Sequence, residues 1–288
     1  MESATAQRNN QFTFVQQLAA DLSKGGIDLP SFPDVVLRIR QALEDDLSTS
    51  EQLVQLIGAE PALAARLLSI SNSAALRPAG DPITDLNMAV NRIGRIMIRN
   101  SAMSFALQQI QKNRKLDKVK ALLDTLWEQC AHVAALCYVL TRKCTKLNPD
   151  EAMFVGLMHG IGRMYVLTRA EDFPDVFKDE ADIHEIMDEW DASIGSSIIE
   201  SWGFSSHISA AVRDYKDTAR DHDDGVDYTD ILILAFVLFQ FLNASEDSEF
   251  VLNEIPASKH LNVAASDMMS IIAESEEQIA SLRRALGK

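Results

Sequence analysis

A lone histidine in an apolar stretch is the first residue that could do chemistry. His159 lies within "FVGLMHGIGRMYVL", residues 154–167, and Gly160 follows it directly. Imidazole binds metals and transfers protons, but a hydrolytic metal site needs several donors and one open position for water. The competing interpretation is a buried histidine whose ring nitrogens are satisfied by neighbours. Arg163, four residues later, could hold an anionic ligand or pair with a nearby carboxylate.

Other candidate ligands occur elsewhere in the chain. His132 lies three residues after Gln129, so both share one face of a predicted helix. His184 lies seven residues before Asp191, again on one helical face. An alternative metal site would therefore combine His132, His159, His184 and Asp191. The segment around His184 is densely acidic, however, and charge runs of this kind are typical of solvated surfaces.

A second chemical feature is a basic stripe. Arg92, Arg95 and Arg99 are spaced three and four apart, which places them along one helix face. One interpretation is a surface paired to the protein's own acids. The other is a docking surface for an acidic partner or a small anionic effector such as a nucleotide.

Composition limits the class of partner. The chain has 27 basic against 42 acidic residues and a formal net charge of −15. Nucleic acids are bound mainly by neutralising phosphates, so this balance argues against a general nucleic-acid binder. The most hydrophobic run, residues 231–242, is shorter than the ~20 residues of a membrane span and predicts a buried core helix. We expect a cytoplasmic protein with no membrane partner.

Helical periodicity runs through nearly the whole chain, and no strand alternation is apparent, so we predict an all-α fold. The main expectations are a capping box from Ser48 to Glu51, a helix junction at Gly94, an N-cap at Asn148 and one last helix over about 264–286. Helices are also expected from Phe14 to a stop at Gly25-Gly26 and after Pro33. The polar stretch 111–118 marks the predicted boundary between two lobes, residues 1–113 and 114–288.

Six segments in order resemble one family, the HDOD domains, which are bacterial signalling modules related to HD-type metal-dependent phosphohydrolases. They are "LPSFPDVVLRI", "LIGAEPALAARLLSISNSA", "PITDLNMAVNRIGRIMIRN", "LWEQCAHVAAL", "EAMFVGLMHGIGRMYVL" and "IGSSIIESWGF". The resemblance covers about residues 29 to 215. It implies a two-lobed helical bundle with an HD-related C-terminal lobe and a C-terminal helical extension.

The resemblance also implies where a metal site would lie, since the catalytic relatives bind metal through a histidine, a His-Asp pair and a later aspartate. Gln129 stands where the first histidine is placed, and Gly160 replaces the aspartate of the pair. Asp191 stands where many members have another histidine. Glycine brings no ligand and glutamine only a neutral carbonyl, so Gln129, His159, Gly160 and Asp191 are interpreted as a vestigial cleft.

The leading hypothesis is thus a non-catalytic signalling module that acts through a protein partner, with no cofactor. The alternative is an active metal-dependent phosphohydrolase that uses a divalent ion in the rearranged site named above. A small anionic effector in the cleft and a homodimer contact formed by the region after about residue 220 are further expectations.

Overall fold

The protein is described by a computed structural model, in which residues 34–45, 47–76, 81–111, 119–169, 180–241 and 248–287 are defined, together with residues 13, 14, 16, 20 and 173. Within those residues every regular element is a helix, which confirms the all-α prediction. The expectations for Pro33, the boundary at 111–118 and most of the helix from Phe14 to Gly25-Gly26 lie outside the described residues.

Four helices of the first lobe lie in the described residues after position 33. They are α1 (Asp34–Glu44), α2 (Ser50–Gly58), α3 (Pro61–Ser71) and α4 (Leu86–Gln111). The first three place an apolar stripe toward α4. The fully buried side chains there include Ile39, Ile57, Leu63 and Leu67. Amphipathic helices of this length are stabilised mainly by such packing, because propensity alone leaves short helices marginal in water.

Two local predictions in this lobe have clear outcomes. Gly94 kinks α4 with φ of 74°, a left-handed conformation that glycine adopts without a Cβ clash, so the predicted junction is confirmed. The capping prediction was wrong by one residue, because Thr49 rather than Ser48 is the N-cap of α2. Gln52 stands at the third helical position, where its side chain accepts a hydrogen bond from the Thr49 backbone N–H.

The second lobe is built around a long buried helix. It comprises α5 (Lys120–Cys144), α6 (Pro149–Met158), α7 (Ile161–Arg169), α8 (Glu180–Ser201), α9 (Ser206–Asp214) and α10 (Tyr228–Phe241). Asn148 caps α6 through the Asp150 N–H and Pro149 occupies its first turn, as predicted. The buried apolar residues of α10 lie between Ile231 and Leu238, and none of the helices of the described chain is long and apolar enough to span a bilayer.

Four more helices follow: α11 (Ser248–Glu254), α12 (Pro256–Leu261), α13 (Ala265–Glu274) and α14 (Glu276–Ala285). The expected single helix over 264–286 was wrong, since the chain breaks at Ser275 with φ of −102° and ψ of 9°. The break lets both α13 and α14 pack on α5, which one straight helix would not reach along its whole length.

The lobes are joined by specific polar contacts. Arg99 of α4 forms an ion pair with Glu151 at 2.9 Å, and Asn100 donates to the Asp150 carbonyl at 2.8 Å. At the other end of the chain, α14 packs against α3, and Gln108 of α4 donates to the Leu286 carbonyl. The C-terminal extension therefore belongs structurally to both lobes.

Candidate functional site

His159 lies between α6 and α7, at the point where the chain turns from one helix to the next. Its side chain is 1% exposed. Nδ1 donates to the Gly156 carbonyl at 2.6 Å, because a carbonyl oxygen can only accept. Nε2 lies 3.4 Å from the Gln129 amide nitrogen on α5. The structure thus brings Gln129 and His159 together, as the resemblance implies.

Aromatic rings close the pocket around His159, which we call the His159 pocket and define by Gln129, His159, Asp191, Tyr215 and Phe236. The imidazole makes edge-on contacts with Tyr215 at 5.4 Å and Phe236 at 5.6 Å between ring centroids. Burial lowers the pKa of His159 to about 4, although the Gly156 carbonyl opposes this change. His159 is therefore a neutral ring at physiological pH.

Asp191 of α8 lies on the other side of Tyr215 and is fully buried. Its carboxylate accepts hydrogen bonds from Arg163 Nε at 2.6 Å, Tyr215 Oη at 3.1 Å and Lys216 Nζ at 2.5 Å. Arg163 also reaches the exposed Asp188 at 2.8 Å. A buried carboxylate must be compensated, and here two cationic side chains compensate it. The expectation that Arg163 pairs with a neighbouring carboxylate is confirmed.

These contacts shift the proton affinities of the partners. Burial lowers the pKa of Arg163, but the hydrogen bond and charge of Asp191 outweigh burial, and the net pKa is raised. Burial and the Asp191 charge together raise the pKa of Tyr215 well above its usual value. Arg163 and Tyr215 therefore stay protonated as donors to Asp191 across the physiological range.

Gly160 has no room for the aspartate of the related enzymes. A Cβ built on this residue would overlap Cys130 Sγ and lie 3.0 Å from Leu126 Cδ1, both on α5. Cys130 is fully buried and cannot swing into solvent. At Gly160, α5 therefore lies directly against the turn between α6 and α7.

Glycines also set the distance between α7 and α8. A Cβ on Gly162 would collide with the backbone carbonyl of Asp191 and lie 2.9 Å from the Gly195 nitrogen. The two helix backbones touch here, which holds Asp191 beside Arg163. Glycine at positions 162 and 195 thus permits the close approach of these helices.

The structure does not assemble the alternative metal-ligand set. His132 contacts Phe239 edge-on and lines a cavity of about 410 Å³ beside α13 and α14. His184 is exposed on α8. Within the described part of the chain, no three of His132, His159, His184 and Asp191 bring their ligand atoms within 4.8 Å of one another. His132 could reach the pocket only if α5 rotated. Close packing of α5 on α6 blocks that rotation, since Gly156 already touches Ala134.

The arginine stripe has partners inside the protein. Arg95 donates to the backbone carbonyls of Ala42 at 3.0 Å and Leu43 at 2.7 Å, at the C-terminal end of α1. Arg92 donates to the Leu76 carbonyl at 3.2 Å. Arg99 stacks on Phe154, 4.8 Å from the ring centroid, in addition to its ion pair.

Part of the stripe nevertheless borders a cavity of about 290 Å³ between the lobes, which we call the interlobe groove. Its cationic and aromatic lining is Arg40, Arg95, Arg99, Trp202 and Phe204. Arg92 is not among the lining residues, since the kink at Gly94 separates it from the other two arginines.

Several functional residues escaped sequence reasoning. The His159 pocket is completed by Tyr215 and Phe236, and Lys216 pairs with its Asp191. All three lie on segments whose sequence indicates only an amphipathic or apolar helix. A further cluster, His222, Asp230 and His260, places three ligand atoms within 4.8 Å of one another. The "DHDD" run at 221–224, which contains His222, is a sequence signal for metal ligands. His260 is distant in sequence and gave no such signal.

Comparison with known proteins gives matches in sequence and in fold. A sequence model described as the HDOD domain matches residues 29–218, close to the predicted 29–215. A protein of Treponema pallidum (strain Nichols), described as an uncharacterized protein, is 23% identical over 263 residues. That match covers 85% of this chain and 48% of the relative, so the chain spans about half the length of that relative.

Solved structures share the fold. A protein from Shewanella amazonensis SB2B whose name includes the words metal-dependent phosphohydrolase has a TM-score of 0.75 at 24% identity, covering 96% of this chain and 99% of that chain. An HDOD domain protein with unknown function from Geobacter sulfurreducens has a TM-score of 0.63 at 20% identity, covering 94% and 97%. At these identities the likeness establishes the helical fold alone.

Proposed function

The chain belongs to the HDOD domain family, and we propose that it is a non-catalytic signal-transduction module that acts by binding another protein. The observation that carries the proposal is the state of Asp191. Arg163 and Lys216 hold its carboxylate on two sides, so it is not available as a ligand.

Charge supports the same conclusion. His159 is neutral, and the charges of Arg163 and Lys216 are balanced by Asp191 and Asp188, which leaves the pocket without net negative charge. A divalent ion needs anionic ligands to offset its own charge and its lost hydration. Binding one here would require Asp191 to exchange both cations for the ion, and breaking these pairs with a buried carboxylate costs several kcal/mol.

The experiment is a turnover assay on the purified full chain. We expect no hydrolysis of cyclic dinucleotides, nucleotides or generic phosphodiesters with Mn²⁺, Mg²⁺, Fe²⁺ or Zn²⁺ added. His184→Ala, at an exposed position on α8, is the matched control for His159→Ala. Metal-dependent turnover that is lost in His159→Ala and kept in His184→Ala would contradict the proposal.

A second candidate is an active phosphohydrolase, which the name of the Shewanella amazonensis relative favours. It requires Asp191 to exchange its two cations for a metal ion. Elemental analysis of a purified His222→Gln/His260→Gln variant tests this. The double substitution removes the separate cluster of His222, Asp230 and His260, so any metal found would lie elsewhere. Stoichiometric transition metal in that variant supports the enzyme.

We place the docking site for the partner at the interlobe groove. Arg40, Arg95 and Arg99 line the groove beside Trp202, and the acidic residue of the lining, Glu44, pairs with Arg40 at 3.2 Å. Three cationic side chains against one carboxylate, in a chain of net charge −15, suit an acidic segment of the partner, or a small anionic effector. The groove lies where α1, α4 and the turn after α8 meet, so an occupant would contact both lobes at once.

Two arginines of α1 give a matched pair for testing the groove. Arg40 lines it, whereas Arg38 is exposed on the same helix and does not. We expect Arg40→Glu to abolish capture of a cross-linked partner by the purified chain and Arg38→Glu to leave it intact. Equal loss or equal retention in both variants would remove the groove from the proposal. Light scattering on the same samples tests the expected homodimer.

A further inference from the structure

We propose that His222, Asp230 and His260 bind one divalent transition-metal ion, with Zn²⁺ the first choice, at a site separate from the His159 pocket. These residues lie after residue 218, where the HDOD match ends. The site is independent of the proposed function, because it involves neither the pocket nor the interlobe groove.

Three different segments converge on the site. His222 belongs to the turn before α10, Asp230 to the first turn of α10 and His260 to the last turn of α12. Their side chains are 15%, 0% and 11% exposed, so an ion would be shielded and yet reachable from solvent. The two imidazole rings lie 4.2 Å apart between centroids.

The spacing of the donor atoms suits a tetrahedral ion. Asp230 Oδ1 lies 3.3 Å from His222 Nε2 and 3.2 Å from His260 Nδ1, so one carboxylate oxygen faces both imidazoles. Metal–nitrogen and metal–oxygen distances of about 2.0 to 2.1 Å imply ligand–ligand distances of roughly 3.3 Å in a tetrahedron. Three ligands would leave a fourth position for water.

Hydrogen bonding around His260 calls for either a second ring proton or a metal ion between Nδ1 and Asp230. Its Nε2 lies 3.0 Å from Asp221 Oδ1, and a carboxylate oxygen can only accept, so Nε2 carries the proton. In the neutral ring Nδ1 then carries a lone pair, which faces a second carboxylate, that of Asp230. Two acceptors at 3.2 Å need a proton or a metal ion between them, and a histidine oriented by an outer carboxylate is the usual arrangement at zinc sites.

The surroundings orient the remaining ligand and balance its charge. Asp230 Oδ2 accepts the Asp227 backbone N–H at 3.1 Å, and Asp230 Oδ1 accepts from Arg220 Nη1 at 3.0 Å. Asp221, Asp227 and Asp230 carry three negative charges against one on Arg220, which leaves two negative charges when both histidines are neutral. A divalent cation cancels that excess.

The ligand types select the metal. Ca²⁺ and Mg²⁺ take oxygen ligands and, for Ca²⁺, six to eight of them, which two imidazoles and one carboxylate do not provide. Two imidazoles with a carboxylate suit Zn²⁺ and its neighbours in the first transition row. Bound there, the ion would clamp α12 to the start of α10 and so fasten the C-terminal helices to the second lobe.

Titration of the metal-free full chain with Zn²⁺ tests the proposal. We expect one equivalent to bind with a dissociation constant of about 1 μM or tighter, and Mg²⁺ and Ca²⁺ not to compete. His222→Gln or His260→Gln should weaken binding at least about 100-fold, and Asp221→Asn about 10- to 100-fold. His184→Gln, at an exposed site, should change nothing.

Thermal unfolding guards against variants that simply fail to fold. Zn²⁺ at a hundredfold excess over its dissociation constant should raise the Tm of the parent by about 5 °C, and the His260→Gln variant should unfold cooperatively without that rise. Absence of Zn²⁺ binding in the parent would show that only a proton bridges the cluster and would overturn the proposal. So would undiminished binding in a His222/His260 double variant.

Discussion

At the level of single residues, the sequence predicted the members of the pocket better than their state. Gln129 and His159 do meet, and Asp191 joins them through Tyr215. The pairing of Asp191 with Lys216 was not predictable, because it depends on how α8 and α9 cross. Tyr215 and Phe236 were missed for the same reason, since their packing on His159 brings together residues far apart in the chain.

The packing at Gly160 leads to a prediction about restoring the aspartate. Gly160→Asp should yield no phosphohydrolase activity and should lower the free energy of unfolding by about 2 to 3 kcal/mol, because the new Cβ overlaps Cys130 and over-packs the core. Chemical denaturation measures the loss. Activity gained without loss of stability would contradict the steric argument.

The buried, neutral His159 predicts a pH dependence of stability. Its folded pKa of about 4 lies below the ordinary value of 6.5, so the unfolded chain takes up the proton first as pH falls. The contribution is complete above pH ~6.5 and declines toward pH 4, reaching about 2 kcal/mol lost by pH ~5.

The measurement is the free energy of unfolding at several pH values between 5 and 7.5 for the parent and for His159→Gln. The variant lacks the titrating ring, so its curve should be flatter by the stated amount. Parallel curves would mean that His159 accepts a proton in the folded state without penalty.

At the level of elements, helices and their ends were largely predictable. Asn148, Pro149 and Gly94 act as the sequence indicates, since capping and left-handed backbone are local properties. The Ser48 cap was placed one residue early because Thr49 offers an equal hydroxyl and Gln52 replaces glutamate. The break at Ser275 was missed because the apolar pattern continues across it, although Ser275 stands three residues before Gln278, the spacing of a capping box.

Alanine substitutions at two helical glycines distinguish the stability cost of close helix contact from the effect of helix propensity. Gly162→Ala should destabilise the protein by about 3 kcal/mol or more, because its Cβ would strike the α8 backbone. Gly58→Ala should be neutral or stabilise by up to ~1 kcal/mol, since its Cβ would meet only Leu86 at 3.8 Å. Urea denaturation of both variants distinguishes these outcomes, and similar effects in both would refute the close-contact argument.

At the level of the whole molecule, the two-lobe expectation came from the polar stretch 111–118 and from the family resemblance, whereas neither predicted the role of the C-terminal helices. Their amphipathic pattern shows that one face is buried but not against which partner. In the structure α14 contacts both α3 and α5, and Arg66 of α3 donates to Ser104 and to Gln108, which reaches the Leu286 carbonyl. Long-range docking of this kind is a tertiary property.

This docking predicts that both lobes unfold together. Leu282→Ala, in the fully buried face of α14, should cost about 2 to 5 kcal/mol and shift a single cooperative transition. Arg284→Ala, exposed on the same helix, is the control and should have little effect. Two separate transitions, of which Leu282→Ala moves only one, would show that α14 does not couple the lobes.

The contact of Arg95 with the end of α1 bears on the order of folding. Helix termini leave carbonyl groups without partners, and here the Arg95 guanidinium of α4 donates hydrogen bonds to those of Ala42 and Leu43. These hydrogen bonds come from α4, so α1 gains them only after α4 has docked. Pulse-labelled hydrogen exchange during refolding should therefore protect the amides of α4 before those of α1, and in Arg95→Ala the delay should lengthen.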